Sequence, residues 1–418
     1  EEGKLRLAQI PAAQAALVSL QPNDGAVRAL VGGFSFGLNK FNRATQAQRL
    51  PGSSFKPFVY AASFERGFSP ASIVLDAPVV FRDRAGNVWR PQNDAGNFAG
   101  PMRLREAMVQ SRNLVSVRLL DAIGVDFASR YITQFGFSQE SLPPNLSMSL
   151  GTSSLTPMSI ARGYTVFVNG GYLVDPWYIE RVLDRDGRVL SEHTPLRACQ
   201  SCPGRGGVGE PGSPADTTEV DGFDFGPSQS PAGVASQEET APDDAAADAP
   251  EGPFQLAPRA IDERTAFMIQ SMLRDVVQRG TGRAATAIGR PDIGGKTGST
   301  NDYRDAWFSG FGGDLVTTVW VGKDDFSSLG RGEYGGKAAL PIWINYMDAA
   351  LKDVPLYDPE VPAGIVTASV DASSGRLVPD GTPGSVSDYF KREDYDRISA
   401  QGFDIEPVLS NEEAFDIF

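Results

Sequence analysis

The feature that most limits how this chain can fold is a long acidic segment that divides it into two unequal parts. Between Gly206 and Gly252 there are eleven Asp or Glu residues and no Lys or Arg, among many Pro, Gly, Ala and Ser. Such a composition cannot bury enough apolar surface to offset the entropy lost on ordering. We therefore expect residues 203–253 to form a disordered acidic insertion, with the fold built from the sequence on either side.

The rest of the chain has the composition of a globular protein. Of its 418 residues, 41% are hydrophobic and 22% are charged, and no run approaches the roughly 18 apolar residues of a membrane span. The net charge of -14 argues against a nucleic-acid partner, because phosphate binding needs clustered Lys and Arg. Cys199 and Cys202 are as consistent with one small disulfide as with two thiols, so they leave the compartment open.

Apolar periodicity and turn residues predict an α+β fold. Residues 16–33 have the pattern of a hairpin closed by Asp24-Gly25, and strands follow around IGGKTGS, DAWFSGFG and LVTTVWVG. Helical patterns dominate Met102 to Gly171, and another helix is expected over Asp262 to Arg279. We expect a mostly antiparallel sheet flanked by helices, plus an all-α subdomain.

The two ends of the chain are expected to lie outside the main domain. The chain opens on Glu1 without an initiator methionine, which indicates an excised piece, and residues 1–15 are expected to be the remnant of a preceding linker or domain. The main domain is predicted over residues 16–365. Residues 366–418 are predicted to form a hairpin, IVTASVD-ASSG-RLVP, followed by a loosely held acidic tail from about Ser385.

Ser53 is predicted to stand at the start of a helix. The stretch SSFKPFVYAASFERG places Phe55 and Val59 at helical spacing. Pro57 cannot donate a backbone hydrogen bond, so it is tolerated only in the first turn of a helix. Ser53 and Lys56 therefore share one face of the helix start.

Three motifs occur in an order that favours one chemistry. They are Ser53-Ser54-Phe55-Lys56, then Ser111-Arg112-Asn113, then Lys296-Thr297-Gly298 on a predicted strand. The first two are weak alone, because roughly one chance copy of each is expected in a chain of this length. Their combination, in this order and in a sequence without a usable histidine, predicts a serine nucleophile with a lysine as its base.

The motif residues supply the parts that acyl transfer requires. A serine hydroxyl needs a base, and Lys56 can act as one if burial and the nearby cation Lys296 lower its pKa. Ser111 would pass protons between Lys56 and the leaving group, and Asn113 would hold the substrate amide. The backbone N–H groups of Ser53 and Ser299 would stabilise the developing oxyanion.

Three other candidate motifs, for a hydrolase, a phosphate site and a zinc site, agree less well with the sequence around them. Gly33 to Gly37 spells the nucleophile elbow of α/β-hydrolases, but that mechanism needs a histidine, and the only one, His193, lies in a polar stretch. Gly289 to Thr297 has five residues between its first glycine and the GK, one more than a P-loop. His193, Cys199 and Cys202 offer three zinc ligands where a structural site wants four, so no metal or other cofactor is expected and a loop disulfide is preferred.

The three motifs and their surroundings, RLPGSSFKPFVYA, LREAMVQSRNLVSVRLL and GGKTGSTNDYRDAWFSGF, closely resemble the transpeptidase domain of class A penicillin-binding proteins, from about Ala16 to Gly322. The resemblance implies a β-lactamase/transpeptidase-like fold and peptidoglycan crosslinking, in which a D-Ala-D-Ala stem peptide acylates Ser53. It implies that Thr297, Gly298 and Ser299 bind the substrate, the two hydroxyls holding its terminal carboxylate, with Lys296 as electrostatic support.

The resemblance also implies partners and a location. Stem peptides and lipid II-derived glycan strands would be substrates, β-lactams would be inhibitors, and other cell-wall synthesis proteins would be further partners. Class A proteins normally carry a membrane helix and a glycosyltransferase domain before the transpeptidase, and neither is in this sequence, so polymerase activity is not inferred. The full-length protein would be anchored at the periplasmic face of the bacterial inner membrane.

Two alternative functions stay open at this level. A D,D-carboxypeptidase or serine β-lactamase would pass the acyl group to water, and Glu140 is the only tempting candidate for the extra glutamate of a similar β-lactamase. The residues around Glu140 instead indicate a solvated turn. A β-lactam-sensing domain would keep the acylation step and transfer nothing.

Overall fold

The computed structural model describes residues 9–82, 88–199, 219–220, 223–224 and 255–400. Apart from two short strands, the expected disordered insertion at 203–253 lies outside these residues, as do Cys202 and residues 401–418. No helix in the described part of the chain is both long enough and apolar enough to span a membrane.

The strands are numbered in chain order. They are β1 Ala13–Leu20, β2 Val27–Val31, β3 Ile73–Asp76, β4 Phe81–Arg82, β5 Val88–Trp89, β6 Gly100–Arg103, β7 Arg181–Leu183, β8 Val189–Glu192, β9 Leu196–Arg197, β10 Glu219–Val220, β11 Phe223–Asp224, β12 Gln255–Leu256, β13 Gly294–Ser299, β14 Asp305–Gly312, β15 Leu315–Lys323, β16 Ile365–Asp371 and β17 Ser385–Lys391.

The helices are numbered in the same way. The α-helices are α1 Arg43–Gln46, α2 Lys56–Phe64, α3 Leu104–Val109, α4 Asn113–Ile123, α5 Val125–Thr133, α6 Pro157–Val168, α7 Glu263–Arg279, α8 Gly335–Ala338, α9 Leu340–Ala350 and α10 Arg392–Ala400. The 3₁₀ turns are Gly52–Phe55, Gln139–Ser141, Leu146–Leu150, Arg283–Ile288 and Asn301–Tyr303.

A five-stranded sheet in the order β13-β14-β15-β1-β2 forms the centre of the molecule, and all of its strand pairs are antiparallel. One face of the sheet packs on α6 and the helices around α2, where Val18 and Trp320 join the main core. The other face packs on α9, where Val319 meets Trp343 and Met347. The predicted α+β architecture, its early hairpin and its helical stretch after residue 102 are confirmed.

The helical side of the molecule is held together by aromatic packing. The Phe58 ring lies 5.0 Å from both Phe135 and Phe137 in edge-to-face contacts, and it also meets Tyr164 and Phe167. Such pairs add to the burial energy of the rings themselves. Because Phe58 belongs to α2, this cluster fixes the helix that follows Ser53.

The C-terminal prediction was partly wrong. Leu377 bridges Val370, as expected for the hairpin, but the main partner of β16 is β17, which includes residues assigned to a loose tail. Pro379 has no N–H to extend the short return strand, so the chain leaves and comes back on the other edge of β16. Residues 385–400 are ordered in β17 and α10, and the charged residues Asp388 and Lys391 are buried.

Candidate active site

The turn that carries Ser53 has the geometry that Pro57 predicts. Residues Gly52–Phe55 form a 3₁₀ turn, α2 begins at Lys56, and the Lys56 N–H donates to the Ser53 carbonyl. That bond replaces the one that Pro57 cannot make. Phe55 is fully buried, so the turn is anchored to the core while Ser53 lines an open cleft.

Lys56 is fully buried beneath this turn and points at the second motif. Its Nζ donates to the Ser111 carbonyl and to Asn113 Oδ1, each at 2.7 Å, and lies 3.4 Å from Ser111 Oγ. These acceptors fix the direction of the amine. The first two motifs, separated by about one eighth of the chain, therefore meet in one polar cluster.

Ser111 lies between two lysines. Its Oγ accepts a hydrogen bond from Lys296 Nζ at 2.8 Å and lies 3.4 Å from Lys56 Nζ. The residue has φ +57°, a left-handed conformation that non-glycine residues adopt uncommonly and that clusters at functional sites. Bonds from the N–H groups of Ser111 and Arg112 to carbonyls in α3 hold this conformation.

Burial controls the charge of both lysines. It lowers the pKa of Lys56 to about 7, against the opposing attraction of Asp94 and Asp76. Burial also lowers the pKa of Lys296 well below its usual range, and repulsion from Lys56 lowers it further. Lys56 can therefore release and accept a proton near neutral pH, and burial also disfavours the positive charge that was expected on Lys296.

The strand of the third motif, β13, is an edge strand of the sheet and borders the cleft. Thr300 N–H donates to the Asp305 carbonyl, so by the alternation of an antiparallel ladder Ser299 occupies a position whose N–H points away from β14. The Ser299 hydroxyl accepts from the Gly335 N–H at 2.9 Å, which leaves its hydrogen free to donate.

Gly298 lies under the Ser53 turn. A Cβ atom at this position would be 2.3 Å from the Pro51 carbonyl oxygen and 2.5 Å from Ser54 Oγ. The strand can approach the helix start this closely because residue 298 has no side chain. Gly298 thus brings β13 to Ser53, and the substrate contact that the resemblance assigned to it stays a prediction.

The Asn113 amide is engaged with the protein on both sides. Its Oδ1 accepts from Lys56, and its Nδ2 donates to the Gln92 carbonyl at 2.9 Å and to Asp94 at 3.0 Å. Both Nδ2 hydrogens are therefore used, whereas Oδ1 has a second lone pair with which it could accept a hydrogen bond from a substrate amide. Asn113 thus connects Lys56, at the start of α2, to the loop at residues 91–99.

Sequence reasoning missed that loop and one threonine. Buried Asp76 accepts hydrogen bonds from Asn93 and the Ala99 N–H, and this anchors the loop at the cleft. Asp94, in the loop, faces the lysine cluster and raises the pKa of Lys56. The hydroxyl of Thr281 lies 2.7 Å from that of Thr297. Neither Asp94 nor Thr281 belongs to a periodic pattern or a spaced motif that would have identified it from the sequence.

The cleft above these residues has a volume of about 950 Å³. Hydroxyl and carboxylate groups from separate parts of the chain line it, namely Ser53, Asp94, Ser111, Thr281, Thr297, Ser299, Thr300, Asp302, Tyr303 and Tyr334. A volume of this order suits a peptide-sized ligand. The predicted nucleophile, the second-motif serine and the third motif therefore share one cleft.

The competing motifs do not have the structures that their chemistry requires. Phe36 of the Gly33–Gly37 stretch is 75% exposed, and the following residues form no long helix. Gly294–Ser299 is a strand, so the GKT offers no helix N-terminus to a phosphate. His193 is exposed against Trp177, and Glu140 is exposed in a 3₁₀ turn.

The cysteines also fit their preferred interpretation. Cys199 is disulfide-bonded, which agrees with a loop disulfide, although its expected partner Cys202 lies outside the described residues. Among the described residues no group of three or more His, Cys, Asp or Glu could hold a metal ion.

The fold and the arrangement of these site residues define the class of protein. The chain belongs to the family described as the penicillin-binding protein transpeptidase domain, whose model matches residues 15–220 and 224–341. Penicillin-binding protein 1A of Pseudomonas aeruginosa is 49% identical over 94% of this chain and 47% of its own length. Penicillin-binding protein 1A of Escherichia coli K12 is 41% identical over 92% of this chain and 48% of its own length. The resemblance to class A penicillin-binding proteins is confirmed, and the chain spans about half the length of these curated relatives.

Solved structures agree with this membership. The crystal structure of penicillin-binding protein 1A from Haemophilus influenzae superimposes with a TM-score of 0.78 and 37% identity, covering 92% of this chain and 54% of that one. PonA1 from Mycobacterium tuberculosis in complex with penicillin V superimposes with a TM-score of 0.60 and 23% identity, covering 84% and 81%. The second comparison shows the fold alone.

Proposed function

We propose that this domain is a D,D-transpeptidase that crosslinks peptidoglycan stem peptides through an acyl-enzyme at Ser53. The observation that carries the proposal is the convergence of Lys56 and Lys296 on the Ser111 hydroxyl, in a cleft that Ser53 also lines. Family membership supports the transpeptidase reaction. The contacts in this cleft support the role proposed below for each residue.

Acylation begins at Ser53. Its Oγ attacks the carbonyl carbon of the penultimate D-Ala while its proton passes to Lys56, whose lowered pKa allows it to be neutral near pH 7. The negative charge that develops on the carbonyl oxygen meets the N–H groups of Ser53 and Ser299. The peptide C–N bond then breaks, and the proton travels through Ser111 to the leaving D-Ala nitrogen.

Transfer repeats these steps in reverse. An amine of a neighbouring stem peptide enters the space that D-Ala leaves, and its nitrogen attacks the ester carbon. Its proton passes back through Ser111 and Lys56, and the Ser53 oxygen leaves with a proton. The hydroxyls of Thr297 and Ser299 bind the terminal carboxylate of the donor, and Asn113 Oδ1 accepts a hydrogen bond from the donor amide beside the one from Lys56.

β-Lactams follow the first half of this route, and the opened ring stays on Ser53. Stem peptides and lipid II-derived glycan strands are the proposed substrates, with other cell-wall synthesis proteins as partners. The full-length protein is proposed to be anchored in the inner membrane, and this domain is proposed to lie in the periplasm. The disulfide at Cys199 suits such an oxidising compartment.

Covalent labelling by a fluorescent penicillin tests the nucleophile. The wild type should be labelled stoichiometrically and Ser53→Ala should not be labelled. Ser35→Ala, in the Gly33–Gly37 stretch, is the matched control and should label like the wild type. Labelling that survives Ser53→Ala would reject Ser53 as the nucleophile.

Two further assays separate transfer from its rivals. With a chromogenic cephalosporin, a single stoichiometric burst is expected, whereas sustained turnover would indicate a β-lactamase. With glycan strands polymerised from lipid II by a separate glycosyltransferase, the full-length protein should produce crosslinked material that Ser53→Ala does not. Acylation by penicillin without any crosslinked product would instead indicate a sensor.

A further inference from the structure

Thr281 occupies a place that the three motifs do not account for. It lies between α7 and the 3₁₀ turn Arg283–Ile288, lines the cleft, and is exposed to it. Its Oγ1 is 2.7 Å from Thr297 Oγ1, across sixteen positions of the chain. Two hydroxyls from separate elements thus sit side by side at the edge of β13.

The backbone holds Thr281 in this place. The Thr281 N–H donates to the Val109 carbonyl at 3.3 Å, and the Gly282 N–H donates to the Val276 carbonyl at 3.1 Å. A Cβ atom at Gly280 would lie 2.4 Å from the Val109 carbonyl oxygen, so the close approach depends on glycine at that position. Thr281 is therefore fixed both to the end of α3, which leads to Ser111, and to α7.

The chemistry of paired hydroxyls suits a carboxylate. Each threonine hydroxyl has one hydrogen to donate, and the bond between the two uses only one of the hydrogens. Whichever hydroxyl donates within the pair, the other keeps its hydrogen for a ligand, and accepting a bond polarises that donor. The Ser299 hydroxyl on the same strand also has a free hydrogen, because Gly335 N–H donates to its oxygen.

The position of Lys296 makes the hydroxyl donors at the cleft more important for binding a carboxylate. Lys296 Nζ is fully buried, donates to the Thr297 carbonyl at 3.1 Å and to the Ser111 hydroxyl at 2.8 Å, and does not line the cleft. A carboxylate entering the cleft then depends on neutral donors for its first contacts. Hydrogen bonds to charged groups are stronger than those between neutral groups.

We propose that Thr281 is a specificity-determining residue whose hydroxyl, hydrogen-bonded to that of Thr297, forms a clamp in which this pair donates its remaining hydrogen to the terminal carboxylate of the donor peptide or β-lactam. The inference rests on the proposed acylation of Ser53. It assigns to Thr281 the discrimination between a free carboxylate and a neutral ester or amide at the same place in the ligand.

The test measures the second-order rate constant for acylation of Ser53 by benzylpenicillin and by its methyl ester. For each compound, the rate constant of the variant is divided by that of the wild type. Thr281→Val removes the hydroxyl at nearly constant shape. It should slow acylation by the acid about tenfold or more, the equivalent of one charge-assisted hydrogen bond, and change the ester rate less than about twofold. Thr281→Ser should restore most of the rate with the acid.

Control variants make the result specific. Thr286→Val changes an exposed threonine on the neighbouring 3₁₀ turn, whose hydroxyl bonds the Arg283 carbonyl, and should leave both rates unchanged. Thr297→Val with Thr281→Val should be little slower with the acid than Thr297→Val alone, because the two hydroxyls act together. The ester rate also reports whether each variant is folded.

Several outcomes would overturn the inference. Equal slowing of acid and ester in Thr281→Val would make the residue structural, and unchanged rates would remove it from the clamp. A wild type that does not prefer the acid would remove the clamp altogether. A wild type that neither compound acylates would instead reject the proposed function, so the two failures are distinguishable.

Discussion

The carboxylate of Asp388 in β17 accepts hydrogen bonds from Arg105 in α3 at 2.6 and 3.0 Å, although 283 positions separate the two residues. Arg103 donates to the other oxygen of the same carboxylate at 3.2 Å. Asp388 is 1% exposed and both arginines are buried. This cluster ties the C-terminal hairpin to the helix that ends two residues before Ser111.

Neutralising Asp388 should destabilise the fold strongly. Asp388→Asn removes the buried carboxylate that the two guanidinium groups share and leaves Arg103 paired only with Glu106 and Arg105 only with Asp275, both partly exposed. The expected cost is therefore about 3 kcal/mol, the low end of the range for breaking a buried ion pair. Chemical denaturation should show a loss of this order. Asp380→Asn, at an exposed residue that accepts a bond from Ser369, should change stability by less than about 0.5 kcal/mol. Equal stability of the two variants would show that the Asp388 cluster contributes little.

Acylation should accelerate as the pH rises through about 7. Below the lowered pKa of Lys56 the amine is protonated and cannot accept the Ser53 proton, and above it the amine is free. The pH dependence of the second-order rate constant with a penicillin measures this midpoint. Lys56→Arg keeps a cation that does not titrate in this range and should be almost inactive at every pH. A flat wild-type profile across neutral pH would exclude Lys56 as the base.

The same pKa shift affects stability. An unfolded Lys56 titrates near 10.5, so between about 7 and 10.5 the unfolded chain binds the proton that the folded one has released. Burial of Lys56 therefore lowers the free energy of unfolding by its largest amount below about pH 7. This destabilisation decreases as the pH rises from about 7 to 10.5. Lys56→Met should remove this contribution, so the gap in unfolding free energy between the variant and the wild type should narrow with rising pH.

Asp94→Asn should move the acylation profile to lower pH. Asp94 attracts the Lys56 ammonium and raises its pKa, so removing that charge lowers the pKa further. The shift should be small, because Asp94 is exposed and its field is screened. Asp302→Asn changes another carboxylate of the cleft that does not act on Lys56 and is the control. A shift in the opposite direction would contradict the arrangement of charges described above.

Gly298→Ala should reduce acylation about 10²-fold. The added Cβ would collide with Pro51 and Ser54 backbone and side-chain atoms, and so push β13 away from the Ser53 turn. Displacements near 1 Å in a catalytic site produce losses of this size. Gly37→Ala is the control, since the nearest atom to a Cβ there is Ser35 Oγ at 3.9 Å. Full activity of Gly298→Ala would show that the strand and turn can separate without consequence.

Much of the local structure could be predicted because local patterns determine it. Pro57 located the start of α2, and apolar periodicity located α3 to α7 and the strand of the third motif. The C-terminal strand β17 was missed because Asp388 and Lys391 resemble the charges of a solvated tail. Their burial depends on partners elsewhere in the chain, Arg105 and Glu65, which no local pattern identifies.

The sequence by itself determined the order and internal spacing of the three motifs, and from these it predicted Ser53 as the nucleophile and Lys56 as its base. Spacing within a helix turn or a strand is a short-range property, so it can be read without the fold. Only the tertiary structure decided that Ser111 lies between Lys56 and Lys296, that Asn113 is already engaged, and that Thr281 stands beside Thr297. These contacts join distant segments through packing of the whole core. Burial, which lowers the pKa of both lysines, likewise exists only once the chain has folded.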